Sequence, residues 1–107
     1  MKTKKLRQYY RLFNRDVFDD MLPAVKLSQS NSLDYSGITY AFEHWDYCKI
    51  VVSRQFNVDL YSYLDTLLHE MIHVYQYYHC DKKLNHGLTF KQFADKIETL
   101  YNWRLVK

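Results

Sequence analysis

The residues best suited to chemistry lie in the segment His69-Glu70-Met71-Ile72-His73. On an α-helix, residues four apart lie about 40° apart around the axis and about 6 Å apart along it. The two imidazoles can therefore reach one zinc ion from the same face of a helix. Glu70 lies about 100° round from His69, so it can reach water activated by the metal without binding the metal itself. The pattern predicts two zinc ligands, His69 and His73, and a general base, Glu70.

A catalytic zinc ion usually has three protein ligands, and four residues compete for the third place. His79 lies on the same predicted helix, and an unbroken helix carries it about 240° round and about 9 Å beyond the second histidine. Cys80 fails for the same reason. His86 lies in the polar connection after the helix, and we expect Gly87 to let that loop fold back to the metal. We predict His86 as the third ligand, with Glu98 on the following helix as the second candidate.

The predicted elements around this segment are three helices and three strands. Apolar spacings of three and four residues predict helices over Lys4–Asp20, from between Asp59 and Ser62 to Tyr78, and from Thr89 to Tyr101. β-Branched and aromatic runs predict strands Ala24–Ser28, Gly37–Phe42 and Cys48–Ser53. Two capping boxes are expected, Ser62-x-x-Asp65 and Thr89-x-x-Gln92. The predicted fold class is α+β, with a small, mainly antiparallel three-stranded sheet in a single domain spanning residues 1–107.

The composition excludes several classes of protein. In 107 residues, 48% are hydrophobic and 18% aromatic, which excludes a disordered chain and allows one core. The two cysteines, Cys48 and Cys80, are too few for a disulfide framework, so we expect reduced thiols. The sequence begins Met-Lys-Thr-Lys-Lys, without the apolar region of a signal peptide, and no apolar run reaches the length of a membrane span. We expect a cytoplasmic or nucleoid-associated monomer without membrane contact.

Positive charge is concentrated in the first predicted helix. The basic residues there are Lys4, Lys5, Arg7, Arg11 and Arg15, and the net charge of the chain is +3. Such a stripe is commonly a solvated face. It could also bind DNA phosphates, with Trp45 at the tip of the predicted hairpin stacking on an unpaired base. DNA is therefore a candidate partner.

Two separated sets of residues form a longer pattern around the HExxH segment. The first is Leu12-Phe13-Asn14-x-x-Val17-Phe18-x-x-x-Leu22-Pro23, followed by a strand and by Gly37 opening the next one. The second is Leu67-Leu68-His69-Glu70-Met71-Ile72-His73 followed by His86-Gly87-x-x-Phe90. Together they resemble the SprT-like domains, the family that includes the Spartan proteases. The resemblance covers roughly residues 9–95, and the later His-Gly-x-x-Phe makes it much more specific than HExxH alone.

This resemblance implies a zinc metalloprotease with a minimal zincin fold. It implies His69, His73 and His86 as zinc ligands and Glu70 as the catalytic glutamate. Eukaryotic members of the family cleave proteins crosslinked to DNA and are switched on by DNA. This chain stops soon after its third helix, without the C-terminal zinc ribbon of larger relatives. We therefore expect the protease chemistry to apply more directly than the DNA-crosslinked substrate.

Two functions follow from these residues. The first is a zinc endopeptidase acting on a protein or peptide substrate, with stimulation by DNA as a further expectation. The second is a catalytically silent zinc-folded adaptor that binds DNA or a protein partner. Glu70 favours the enzyme, because a structural zinc site needs no glutamate there and normally has four protein ligands. The candidates for stabilising the oxyanion are Tyr35, Tyr40, Tyr47 and His44, and an extended substrate could pair with an open sheet edge beside the cleft.

Overall fold

The computed structural model describes residues 1–105 and contains three α-helices and three strands in this part of the chain. The helices are α1 (Thr3–Phe18), α2 (Leu60–His79) and α3 (Leu88–Tyr101). The strands are β1 (Lys26–Ser30), β2 (Gly37–Phe42) and β3 (Tyr47–Ser53), with a short 3₁₀ turn at Glu43–Trp45 between β2 and β3. The predicted α+β class, with three helices and three strands, is confirmed.

The sheet has the strand order β1-β3-β2 and is mixed. β2 and β3 form the predicted antiparallel hairpin, whereas β1 runs parallel to β3, from Lys26 opposite Lys49 to Ser30 opposite Ser53. The chain leaves β1, forms the far edge of the sheet as β2, and returns between the two as β3. The central position of β3 fits its sequence, because Ile50–Ser53 is buried on both faces.

β1 is shifted by two residues from its predicted range and includes Gln29 and Ser30, which were predicted to lie in a loop. Polar residues are tolerated in this strand because their side chains find partners. The Gln29 amide donates to the Met1 carbonyl over 2.7 Å and accepts a hydrogen bond from the Tyr63 hydroxyl over 3.1 Å. The backbone pairing with β3 and these side-chain bonds outweigh the low strand propensity of the sequence.

Both predicted capping boxes are wrong. The N-cap of α2 is Asp59, whose carboxylate accepts from the Ser62 backbone N–H over 2.8 Å, while the Ser62 hydroxyl accepts from the Asp59 N–H. The N-cap of α3 is Gly87, and Thr89 lies inside the helix without a capping hydrogen bond. The start of α2 at Leu60 lies within the predicted range, although the predicted capping residue, Ser62, is three positions too late.

The core lies between the sheet and the three helices, with α2 at its centre. α1 contributes the predicted apolar stripe, including Leu6, Phe13 and Val17, and ends where Asp19 adopts a left-handed backbone conformation. α3 contributes Phe90 and Ile97, whereas Leu100 and Tyr101, which continue its apolar spacing, are 49% and 36% exposed. The periodicity of α3 continues beyond the part of the helix that packs on the core.

The two cysteines are free thiols in the structure, as predicted: Cys48 is buried and Cys80 is partly exposed. Among residues 1–105, none of the helices combines the length and the apolar character that crossing a membrane requires.

Candidate metal centre

α2 carries the HExxH residues, with the two histidines on one face of the helix and Glu70 to the side of that face. Its 20 residues are largely buried, and its motif faces the space between β2 and the start of α3. His73 is 9% exposed and Glu70 is 6% exposed, whereas the side chain of His69 is more open. A helix buried this deeply holds its side chains in fixed rotamers, so the imidazoles and the carboxylate are preorganised.

His69, His73 and His86 converge on one point, with ring nitrogens that all lie within 4.8 Å of one another. The Nε2 atom of His86 lies 3.2 Å from Nε2 of His69 and 3.2 Å from Nε2 of His73. Two nitrogens bound to one tetrahedral zinc ion at about 2.0–2.1 Å are separated by about 3.3 Å. The three imidazoles therefore fit a zinc ion with an open fourth position.

Gln76 fixes the orientation of His73 and of the loop that carries His86. Its amide nitrogen donates to the Asn85 carbonyl over 2.8 Å, and its oxygen accepts from the Asn85 N–H over 3.2 Å. The same oxygen lies 2.8 Å from Nδ1 of His73. Because an amide oxygen can only accept, Nδ1 carries the proton and Nε2 presents its lone pair to the metal position.

Phe90 forms the floor under the three imidazoles. It is completely buried, and its ring centroid lies 4.8 Å from that of His69, 5.6 Å from that of His73 and 4.7 Å from that of His86. This contact explains the spacing His-Gly-x-x-Phe, since one turn of α3 brings Phe90 beneath His86. Gly87 has a negative φ of −81°, but a Cβ atom there would lie 2.9 Å from Oδ1 of Asn85, which accepts from the Gly87 N–H over 2.8 Å. Glycine therefore suits this tight loop because of space and not because of a left-handed backbone.

Glu70 lies beside the three histidines, with Oε2 3.9 Å from Nε2 of His69. Its other oxygen accepts a hydrogen bond from the Thr39 hydroxyl of β2 over 2.8 Å. Burial raises the pKa of Glu70 to about 7, and the Thr39 hydrogen bond lowers that pKa only partly. A carboxyl group with this pKa takes up and releases a proton near neutral pH, which suits a general base.

The family model of the SprT-like family matches residues 6–105. The chain belongs to the SprT-like family. The resemblance read from residues 9–95 is thereby confirmed. Membership indicates a metalloprotease-like domain of a family that is typically metal-dependent, and the three converging histidines agree with this. A comparison with curated proteins returns no match.

In this SprT-like chain, Gly37 allows β2 to approach α2 closely. A Cβ atom at position 37 would overlap with the Thr66 side chain and lie 3.2 Å from Cγ of Glu70. Its backbone φ is not positive, so the requirement for glycine comes from space and not from conformation. The absence of a side chain at Gly37 therefore sets the distance between Thr39 and Glu70.

The other candidate ligands of the SprT-like domain lie elsewhere. Nε2 of His79 is 3.1 Å from the Met21 carbonyl, and Cys80 donates weakly to the Thr89 hydroxyl over 3.8 Å. Glu98 lies on α3, where Arg104 pairs with it at 3.6 Å. Within residues 1–105, the only group of three or more potential ligands that meets at one point is the one made by the three predicted histidines.

A cleft of about 290 Å³ opens at the metal centre of the SprT-like domain. Its walls are Tyr35, Ser36, Gly37, Asp65, Thr66, His69 and Glu70. Of the four oxyanion candidates only Tyr35 lines this cleft, and its hydroxyl is bonded to Ser30 at 3.2 Å. Tyr40 follows Thr39 in β2 and therefore lies on the opposite face of the sheet, where Phe42 stacks on it and Tyr47 stacks on Phe42.

Gln76, Thr39 and the packing role of Phe90 were not identified from the sequence. Gln76 lies three residues after His73 on α2, a spacing at which side chains of a helix meet, so that signal was present. Thr39 is an ordinary strand residue. The sequence gives no sign that its hydroxyl contacts Glu70, which is 31 positions away in the chain.

Proposed function

We propose that this SprT-like chain is a zinc-dependent endopeptidase. The observation that supports the proposal best is the convergence of three Nε2 atoms beside a buried carboxylate at the wall of an open cleft. A structural zinc site normally has four protein ligands. Three imidazoles with a neighbouring base, Glu70, match a hydrolytic centre instead.

The chain's own residues have separate roles in this proposal. A zinc ion bound by His69, His73 and His86 would supply Lewis acidity for water and for the peptide carbonyl. Glu70 accepts the proton of the attacking water and then delivers it to the nitrogen of the leaving amine. The Thr39 hydroxyl holds one oxygen of that carboxylate in place, and Gln76 keeps His73 in its binding tautomer.

The free edge of β2 provides a place for an extended substrate. The Ser36 carbonyl accepts a hydrogen bond from the Ser53 N–H over 2.9 Å. Ser36 and Ser53 are therefore a hydrogen-bonded pair at the start of the β2–β3 ladder. Pairing alternates along antiparallel strands, so the backbone groups of Gly37, Thr39 and Ala41 point away from β3 toward the open edge. A substrate strand that pairs there lies beside Glu70.

Two variants test the hydrolytic role. Glu70→Gln is expected to retain zinc and fold but to lose at least about 100-fold in the rate of peptide cleavage, because the attacking water loses its proton acceptor. His86→Ala is expected to lose most of its zinc, whereas the matched control His79→Ala keeps it. Zinc is measured by elemental analysis of purified protein, and cleavage by a fluorogenic protein substrate with and without DNA.

The outcomes separate the two functions inferred from the sequence. Cleavage by Glu70→Gln at the wild-type rate would show that Glu70 is not the base. Wild-type zinc content in His86→Ala would reject that histidine as a ligand. If zinc is bound as expected but neither wild type nor variant cleaves any substrate, the chain is a silent zinc-binding adaptor.

DNA contact remains part of the proposed function, as a second property of the surface. Lys4, Lys5, Arg7 and Arg11 are exposed on α1, so their charges are accessible to phosphates. Arg15 is bonded to Asp16 over 2.8 Å and is the least available of the five basic residues. Trp45 is 74% exposed at the hairpin tip, which permits stacking on an unpaired base.

A further inference from the structure

An apolar surface lies directly beside the cleft, in residues 56–61 at the end of the β3–α2 connection and the start of α2. Four of its six residues are large and apolar, and they remain well exposed: Phe56 (46%), Val58 (84%), Leu60 (50%) and Tyr61 (59%). Apolar side chains gathered on a surface in this way commonly mark a binding site. None of them is needed to hold zinc.

Phe56 and Tyr61 form the apolar walls of an open pocket of about 420 Å³. This pocket shares Ser36, Asp65 and Thr66 with the cleft that contains His69 and Glu70. The two spaces are therefore adjacent, and a chain bound in the cleft can place a side chain in the pocket. Its volume accommodates a large side chain such as leucine or phenylalanine.

The walls of the pocket are held by hydrogen bonds. The buried Asn57 side chain donates to the carbonyls of Ser36 and Ser53 over 3.0 and 2.6 Å, and accepts from the Thr66 hydroxyl over 2.8 Å. On the other side, the Tyr61 ring lies 4.3 Å from that of Trp103, which donates to Asp65 over 3.2 Å. A preformed pocket loses little entropy when it is filled.

The position of the pocket relative to Glu70 sets which substrate residue reaches it. On α2, Asp65 and Tyr61 lie five and nine residues before Glu70, or about 7 and 13 Å along the axis at about 1.5 Å per residue. An extended substrate advances about 3.3 Å per residue, so this distance corresponds to two to four residues from the cleaved bond.

The direction of the substrate follows from the strand that it would join. Thr39 contacts Glu70, and Gly37 lies against both Glu70 and Thr66, so the start of β2 leads toward the pocket. Antiparallel pairing is the stronger arrangement, and it places the substrate residues that follow the cleaved bond at the start of β2.

We propose that the Phe56–Tyr61 pocket binds a large apolar side chain of the substrate, two to four residues after the cleaved bond. This inference rests on the proposed endopeptidase function and specifies its substrate as an extended, unfolded segment carrying such a residue. Asp59 and Asp65 also line the pocket, so an acidic substrate side chain is disfavoured there.

A set of peptides tests this proposal. The peptides are identical except at one position, two, three or four residues after the cleaved bond, which carries Leu, Phe, Ser or Asp. For wild type, we expect kcat/KM to be at least about 10-fold higher with Leu or Phe than with Ser at one of these positions. The affinities of the same peptides for zinc-loaded Glu70→Gln, measured by fluorescence anisotropy, should follow the same order as the kcat/KM values.

Two variants assign the preference to the pocket. Phe56→Ser is expected to reduce the preference for Leu over Ser to less than about 3-fold, and Phe56→Leu to retain it. The matched control is Val58→Ser, since Val58 lies in the same connection but outside the pocket wall. Zinc content and thermal midpoint are measured for each variant.

Each result has a distinct meaning. Cleavage that is indifferent to the varied residue, a preference located before the cleaved bond, or an unchanged preference in Phe56→Ser would overturn the pocket assignment and leave the endopeptidase function intact. If no peptide is cleaved, the endopeptidase function fails. The anisotropy order then still decides whether the pocket binds apolar side chains.

Discussion

At the residue scale, the metal centre depends on Gln76 as well as on its three candidate ligands. This glutamine is 1% exposed, and its one side chain bonds both His73 and the backbone of Asn85. It thereby connects a histidine fixed on a helix to the loop that carries His86. Groups of this kind determine the tautomer and position of metal ligands.

Replacing Gln76 should therefore weaken zinc binding without removing a ligand. We expect Gln76→Leu to raise the zinc dissociation constant about 10- to 100-fold, because His73 loses its orienting acceptor and the loop loses its anchor. Competition with a chromophoric chelator measures this constant. Gln8→Leu, a substitution of an exposed glutamine on α1, is the matched control. Unchanged zinc affinity in Gln76→Leu would mean that Phe90 and α2 alone position the ligands.

Glu70 should make the metal-free protein sensitive to pH. Burial raises the pKa of this carboxyl from 4.5 to about 7, so between these values the folded state binds more protons than the unfolded state. The stability that the protonated group contributes is complete below pH 4.5 and is lost as pH rises through 7. Glu70→Gln does not titrate and should keep that stability.

Urea unfolding of metal-free protein between pH 4.5 and 8 measures this effect. The unfolding free energy of wild type relative to Glu70→Gln should fall by on the order of 3 kcal/mol over this range. Burial also lowers the pKa of His73, but that group is present in both proteins and cancels in the comparison. A difference that does not change with pH would show that water reaches the carboxyl.

At the scale of elements, the decisive contact is between β2 and α2. Gly37 has no side chain, so the strand lies against Thr66 and Glu70, and Thr39 can reach the Glu70 carboxylate. The same close approach places the open edge of β2 beside the cleft. One small residue therefore determines both the setting of Glu70 and the proposed path of the substrate.

Gly37→Ala should separate these two elements. The added methyl group overlaps with Cγ2 of Thr66, and such overpacking typically costs about 1–3 kcal/mol of stability. We also expect slower peptide cleavage, because Thr39 moves away from Glu70. Thermal unfolding and kcat measure the two effects.

A second substitution provides the control for this prediction. Thr66→Ser removes the overlapping Cγ2 atom and retains the hydroxyl that donates to Asn57 over 2.8 Å. The double variant Gly37→Ala/Thr66→Ser should recover most of the lost stability, whereas Thr66→Ser alone changes it little. No recovery in the double variant would contradict a steric origin.

At the scale of the whole molecule, the exposed basic residues and the candidate metal centre lie on different elements. The three candidate metal ligands lie on α2 and in the loop before α3, whereas the exposed basic residues proposed to contact DNA lie on α1. α1 is joined to α3 by Lys96, which donates to the Val17 carbonyl over 2.6 Å and lies 3.7 Å from Asp19. A ligand bound to α1 would therefore influence the candidate metal centre through the packing between helices.

Binding of DNA should be electrostatic and independent of sequence. Replacing Lys4, Lys5, Arg7 and Arg11 with Gln should lower affinity for single- and double-stranded DNA and flatten its dependence on salt, because fewer counterions are released. Zinc content should not change. Trp45→Ala is expected to affect only single-stranded or frayed DNA. Titration by fluorescence anisotropy at several salt concentrations measures both, and the absence of wild-type binding at low salt would reject DNA as a partner.

The sequence by itself determined the local features of this protein. Residue spacing gave three helices and three strands, the apolar stripe of α1, and His69, Glu70 and His73 on one helix, because these depend on periodicities of a few residues. The choice of His86 needed only its position in a loop after α2, and the structure places it with the other two histidines. The assignment of these residues to zinc and catalysis stays a prediction.

Only the tertiary structure decided how distant segments meet. β1 pairs parallel to β3, Thr39 bonds Glu70, and Gly37 fits against Thr66, and each contact joins residues that are more than 20 positions apart. The predicted capping residues, Ser62 and Thr89, lie three and two positions after the observed N-caps, Asp59 and Gly87. Contacts of this kind depend on how whole elements pack together, and no short-range pattern in a sequence records that packing.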